Sequence, residues 1–134
     1  MSAGEELPNS AVGGSGGPST TAKGRCGERV AGEYLRRCGY QILEINFRSR
    51  VGEVDIIGTR RDTVVFFEVK TWSSVPWSEL GYSIGERKKR RLTAAAKLYL
   101  VETARSCEHC RIRFDLLLVS PTEGVVRHIE NVFA

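Results

Sequence analysis

Three ionisable side chains fall within runs of Val, Ile and Phe that otherwise read as buried strands: Asp55 in Gly52-Glu53-Val54-Asp55-Ile56-Ile57-Gly58, and Glu68 and Lys70 closing Val64-Val65-Phe66-Phe67-Glu68-Val69-Lys70. A carboxylate is costly to bury unpaired, and like charges opposite one another across a sheet destabilise it. A divalent cation would resolve that conflict. Hard cations such as Mg²⁺ take oxygen ligands, typically one or two carboxylates completed by waters and phosphate oxygens. They lower the pKa of bound water and stabilise charge developing on a phosphoryl group. The chemistry such a set could do is hydrolysis of a phosphodiester.

The elements that must carry these residues can be read from periodicity. Val30, Ala31, Tyr34, Leu35 and Cys38 recur at helical spacing from Arg25, and Gly39 suits the C′ position after a helix. Strands are expected over Tyr40–Phe47, Glu53–Thr59 and Thr63–Lys70, with Gly52 and Arg60-Arg61-Asp62 as punctuation. Thr71 to Gly85, with Pro76, Trp72 and Trp77, reads as a loop, and Glu86–Arg105 as a second helix. Two more strands, Arg111–Val119 and Val125–Val132, flank a Pro121-Thr122-Glu123-Gly124 turn. The order αβββαββ is that of an α/β domain with a mixed sheet.

Alternation places Glu53, Asp55 and Ile57 on one face of their strand, and Val64, Phe66, Glu68 and Lys70 on one face of the next. If the hairpin loop is centred on Arg61-Asp62, residues whose numbers sum to 123 pair, so Asp55 faces Glu68 and Glu53 faces Lys70. Glu53 and Lys70 can equally form a plain cross-strand ion pair, and Lys70 could neutralise both carboxylates with no metal. Glu28 projects on the same helix side as Ala31, Gly32 and Leu35. Either it reaches the acidic pair from above the sheet, or it is a favourable charge near a helix N-terminus.

The chain has 134 residues and a net charge of +4, room for one domain with a single core. The first twenty-two residues carry Glu5 and Glu6 but no Lys or Arg, leaving twenty basic against fourteen acidic side chains from residue 23 onward. That excess favours an anionic partner. No apolar run approaches a membrane span, and residues 1–24 lack the basic start and apolar centre of a signal peptide. The expectations are a Gly/Ser/Pro-rich disordered tail over 1–24, one domain over 25–134, a cytoplasmic location and no membrane. Cys107-Glu108-His109-Cys110 offers half a zinc motif, but Cys26 and Cys38 are twelve apart and do not complete it. Cys38 reads as a small buried hydrophobe.

Arg87, Lys88, Lys89, Arg90 and Arg91 are five consecutive cations at the start of the second helix, where the helix dipole disfavours positive charge. Phosphate would compensate them, and Arg48 and Arg50 could extend the patch. A solvated face is the plain alternative. Trp72 and Trp77 are loop anchors or base-stacking groups. Asp115, in an apolar strand, reads as a structural partner for Arg113 or a basic helix residue, and His109 and His128 as surface or structural residues.

Glu28, the Gly52–Gly58 strand and Phe67-Glu68-Val69-Lys70-Thr71 together resemble the PD-(D/E)xK nuclease superfamily. Arg48, the Glu86–Tyr99 segment, Arg113-Phe114-Asp115 and His128-Ile129-Glu130-Asn131-Val132-Phe133 narrow the resemblance to the YraN-like uncharacterised family, similar to archaeal Holliday-junction resolvases. The resemblance covers about residues 25–134. It implies a restriction-endonuclease-like αβββαββ fold with a central mixed sheet flanked by helices. It implies that Asp55, Glu68 and the Val69 carbonyl ligate Mg²⁺ or Mn²⁺, with Glu28 supporting the metal or its water shell and Lys70 orienting or deprotonating the attacking water. The partner it implies is nucleic acid, DNA foremost and branched or junction structures among the candidates, with a homodimer by analogy. The competing expectation is a non-catalytic nucleic-acid-binding or adaptor protein on the same fold.

Overall fold

A computed structural model describes residues 18–71, 85–103, 111–120 and 122–133, with side chains from Gly27 onward and excepting Val126. The expectations for the side chains of Cys26, Trp72, Trp77, Cys107, His109 and Cys110 lie outside the described residues. Helix α1 spans Pro18–Arg37 and helix α2 Glu86–Glu102. The strands are β1 (Gln41–Arg48), β2 (Glu53–Arg60), β3 (Thr63–Thr71), β4 (Arg111–Ser120) and β5 (Gly124–Ile129). Helix α1 begins inside the stretch expected to be a disordered tail, at Pro18, whose preset φ and missing N–H suit the first helical position. It ends as its sequence implies. Gly39 takes φ 93°, Gly39 N–H donates to the Arg36 carbonyl at 3.0 Å and Tyr40 N–H to the Leu35 carbonyl at 2.9 Å, a Schellman closure.

The five strands lie in sequence order, β1-β2-β3-β4-β5. β1–β2, β2–β3 and β4–β5 are antiparallel and β3–β4 is parallel, so α2 provides the crossover that parallel neighbours require. The fold is the expected restriction-endonuclease-like α/β arrangement. The helices cover opposite faces. Ile56, Val65, Phe67, Leu117 and Val119 pack with Ala31 and Leu35 of α1, while Ile57, Val64 and Phe66 pack with Leu92, Ala95, Ala96 and Tyr99 of α2. Cys38 is a free, half-buried thiol against the α1 core.

The β2–β3 register is the one that alternation and a loop at Arg61-Asp62 dictate: Arg60 pairs Thr63, Thr59 Val64, Gly58 Val65, Ile57 Phe66 and Ile56 Phe67. Arg61 takes φ 58°, the left-handed conformation such tight turns use. The Cα ladder stops at Ile56–Phe67, one step before Asp55 and Glu68. Strict alternation of β2 also stops there, because Val54 packs with the α2 cluster whereas Ile56 packs with the α1 cluster. The expectation that Glu53, Asp55 and Ile57 share one regular face is therefore corrected: the strand changes face across Asp55.

Gly52 fixes how α2 sits on the start of β2. A Cβ added there would lie 2.1 Å from the Arg91 carbonyl oxygen. Gly52→Ala must push α2 away and is expected to destabilise the domain by about 1–3 kcal/mol, the usual cost of overpacking a tight contact. Urea unfolding would measure it, and a change within about 0.5 kcal/mol, typical of unconstrained surface sites, would show that the contact is not rigid.

Candidate metal and nucleic-acid site

The acidic site forms where the β2–β3 ladder opens. Asp55 Oδ2 accepts a hydrogen bond from Val69 N–H at 2.8 Å, so the side chain supplies a partner to backbone just past the last paired residues. Glu68 is buried on the α2 side, and its Oε2 meets Lys88 Nζ at 2.7 Å. Glu28 approaches from α1, with its Oε1 accepting from Asn46 Nδ2 at 2.9 Å. Asn46 itself takes φ 60°, a left-handed conformation that Asn tolerates better than most residues, within β1.

Burial pushes the Asp55 carboxyl up to about 8, and the neighbouring charges of Glu68 and Glu28 add to the rise against the Val69 N–H and Lys88. Burial likewise raises Glu28 to about 6, opposed by Asn46 and Arg48. For Lys88, burial alone would lower the pKa, but the hydrogen bond and charge of Glu68, with Asp55 and Glu53 beyond, outweigh it and hold the ammonium above its ordinary value. Asp55 thus feels the charges of both Glu68 and Glu28.

This arrangement has a signed consequence for stability in metal-free buffer. The folded chain holds the Asp55 proton to about pH 8, whereas an unperturbed carboxyl releases it near 3.8, so stability falls as pH rises through that window and levels off outside it. Asp55→Asn, which can still accept from Val69 N–H, should remove the loss. Urea unfolding in EDTA from pH 5 to pH 8 is expected to show wild type weakening relative to the variant by about 1 kcal/mol or more, the linkage value of one shifted unit. A wild-type-to-variant difference that is constant with pH would refute the assignment.

The other expected site residues distribute unevenly. Lys70 is exposed and stands opposite Leu118 in the β3–β4 register, and among the described residues it forms no ion pair. Glu53 does not pair with Lys70 as the continued hairpin register implied. It stands opposite Arg48 on β1, with Arg48 Nε 3.9 Å from Glu53 Oε1. Arg50, Arg87, Arg90 and Arg91 are exposed. Lys89 lies over the Phe133 ring at 5.1 Å and is half-buried, so it belongs to the packing of α2 as much as to a basic surface. Lys88 departs furthest from a freely solvated phosphate contact, being the ion-pair partner of Glu68. Arg87, Lys88 and Arg91 nonetheless line a cleft of about 370 Å³ with Glu53, Gly85 and Leu92. The cleft thus adjoins Glu68 through Lys88.

A second polar cluster lies on the α1 side of the sheet. Asp115 is fully buried and accepts four hydrogen bonds: from Arg113 Nε and Nη2 at 2.9 Å each, Asn131 N–H at 3.0 Å and His128 Nε2 at 2.8 Å. An ionised carboxylate only accepts, so His128 Nε2 donates to it, while the ring Nδ1 shares a hydrogen bond with the Tyr34 hydroxyl at 3.1 Å. Asp115, His128 and Glu130 bring one ligand atom each within 4.8 Å of one another, a grouping that could hold a metal ion. Arg113 already faces both Asp115 and Glu130, at 2.9 and 3.8 Å. A guanidinium at that position repels a metal, and the four acceptor sites of Asp115 are filled, which favours a structural network. The sequence reading anticipated the Arg113 partner and a structural role for His128, but not the contact of His128 with Asp115, which spans two strands.

Residues 27–119 match the model of the uncharacterised protein family UPF0102. The chain belongs to UPF0102. A UPF0102 protein of Persephonella marina is 40% identical over 111 residues, covering 83% of this chain and 92% of that one. UPF0102 proteins of Alkaliphilus oremlandii and Clostridioides difficile are 36% and 35% identical, each covered over 96% of its length. The UPF0102 match spans Glu28, Asp55, Glu68, Lys70, the α2 cations and Asp115, and stops before His128. Among the described residues no helix is long and apolar enough to cross a membrane.

Proposed function

We propose that the chain is a divalent-metal-dependent endonuclease that hydrolyses phosphodiester bonds in nucleic acid, with DNA, including branched duplexes, as its substrate class. The observation that carries this reading is the meeting of two carboxyl groups, Asp55 and Glu68, at the open end of the β2–β3 ladder, beside a cleft lined by Arg87, Lys88 and Arg91. The donor set suits the group it would bind. Asp55 and Glu68 supply carboxylate oxygens, each with one oxygen engaged by Val69 N–H or Lys88, and oxygen donors match Mg²⁺ or Mn²⁺ better than softer metals. When bound, such a cation would activate water and stabilise charge on the phosphoryl oxygens.

The protein's own residues supply orientation and charge. The Val69 N–H fixes the Asp55 carboxylate, and Asn46 fixes Glu28. On this reading the exposed Lys70, two residues beyond Glu68, would orient or help deprotonate the attacking water. Arg87 and Arg91 offer guanidinium forks to substrate phosphates. A homodimer would present two such sites to the two strands of a junction.

Linear, flapped and four-way-junction DNAs, with RNA alongside, incubated with protein and Mg²⁺ or Mn²⁺, test the reading. Metal-dependent cleavage of DNA supports it. Binding without cleavage under every metal condition would replace it with a non-catalytic nucleic-acid-binding role.

A further inference from the structure

We propose that Lys88 is a built-in counter-ion that occupies the place of a divalent cation on Glu68, so that metal loads the site only by displacing it; this rests on the metal reading above. The ion pair is asymmetric. The Glu68 side chain is 7% exposed and fixed in β3, whereas the Lys88 side chain is 52% exposed on a flexible four-carbon stem. The carboxylate stays where it is while the cation can leave. Lys88 also sits in the first turn of α2, where the helix dipole opposes it, and no side chain caps that turn because Gly85 is the N-cap. Its position is therefore held by the acidic groups, not by the helix.

The site also gives the displaced side chain a destination. Lys88 lines the cleft that contains Arg87 and Arg91, so an ammonium leaving Glu68 remains over that cleft and adds a third cation to a surface suited to phosphate. Arg87 lines the same cleft but makes no ion pair with Glu68 among the described residues. It provides the control.

Mn²⁺ binding to the full chain without nucleic acid, followed by electron paramagnetic resonance of the free ion, reads this competition independently of cleavage. Lys88→Met keeps the apolar stem and is expected to bind Mn²⁺ about tenfold tighter than wild type, because a unit charge within ion-pair distance of a buried carboxylate is worth at least that much. Arg87→Met removes the same formal charge from the cleft and should stay within about twofold of wild type, its effect being screened by solvent. Circular dichroism melting would confirm that both variants are folded. Wild type that binds Mn²⁺ with Lys88→Met no tighter than Arg87→Met overturns this inference alone. Failure of all three proteins to bind Mn²⁺ overturns the metal reading and this inference with it.

Discussion

Asp55→Ala and Glu68→Ala are each expected to lose more than about 100-fold of metal-dependent cleavage, since changes to mere outer-shell partners of metal sites already cost about 10- to 100-fold. Both variants should keep DNA binding near the wild-type level, because Arg87 and Arg91 line the cleft independently of either carboxylate. That contrast between cleavage and binding distinguishes a lost metal ligand from a damaged fold. The two substitutions should also fail to add. With one ligand gone the site no longer loads, so the double variant cleaves about as poorly as either single one. Single-turnover cleavage and fluorescence anisotropy, run on the same junction DNA, measure the two quantities. Cleavage that survives either substitution would place the active centre elsewhere.

The largest stability effect should come from the Asp115 cluster. Asp115→Ala leaves the Arg113 guanidinium, the His128 ring and the Asn131 N–H facing a buried gap, and is expected to cost about 3–5 kcal/mol, the usual penalty for removing one partner of a buried ion pair. Against a total stability of about 5–15 kcal/mol, that change removes a large fraction of the margin. Asp115→Asn should cost less, since an amide oxygen can still accept from Asn131 N–H. Burial alone would raise the Asp115 carboxyl, but His128, Arg113 and the Asn131 N–H more than reverse this and hold it below its ordinary value. Its contribution is therefore present above the unfolded-state pKa and lost as pH falls through the lowered one. Urea unfolding of the three proteins at neutral pH decides the matter: a loss below about 1 kcal/mol for Asp115→Ala, the worth of an ordinary hydrogen bond, would contradict a network that holds the fold together.

Local pattern carried much of the architecture. Helix α1 was legible because Ala31, Tyr34, Leu35 and Cys38 follow helical spacing and Gly39 can take the positive φ that closes the turn. The β2–β3 register was legible because a two-residue loop and strict alternation leave one pairing that buries Ile56 and Phe67 together. Alternation failed at Asp55, where the strand changes face. Asn46 was missed as the partner of Glu28, although an Asn within an apolar strand is a weak β-former and was itself a signal.

The sequence by itself determined the order of elements, the excess of positive charge and the conflict of Asp55 and Glu68 in neighbouring strands, because spacing, turn chemistry and alternation act over a few residues. Only the tertiary structure decided how that conflict is met. Lys88 reaches Glu68 from an element twenty residues further along, Glu28 finds Asn46 eighteen residues away, and His128 finds Asp115 across adjoining strands. Partnerships of this kind depend on which helix covers which face and where a ladder opens, and a buried charge takes whatever counter-charge the packed chain brings within reach.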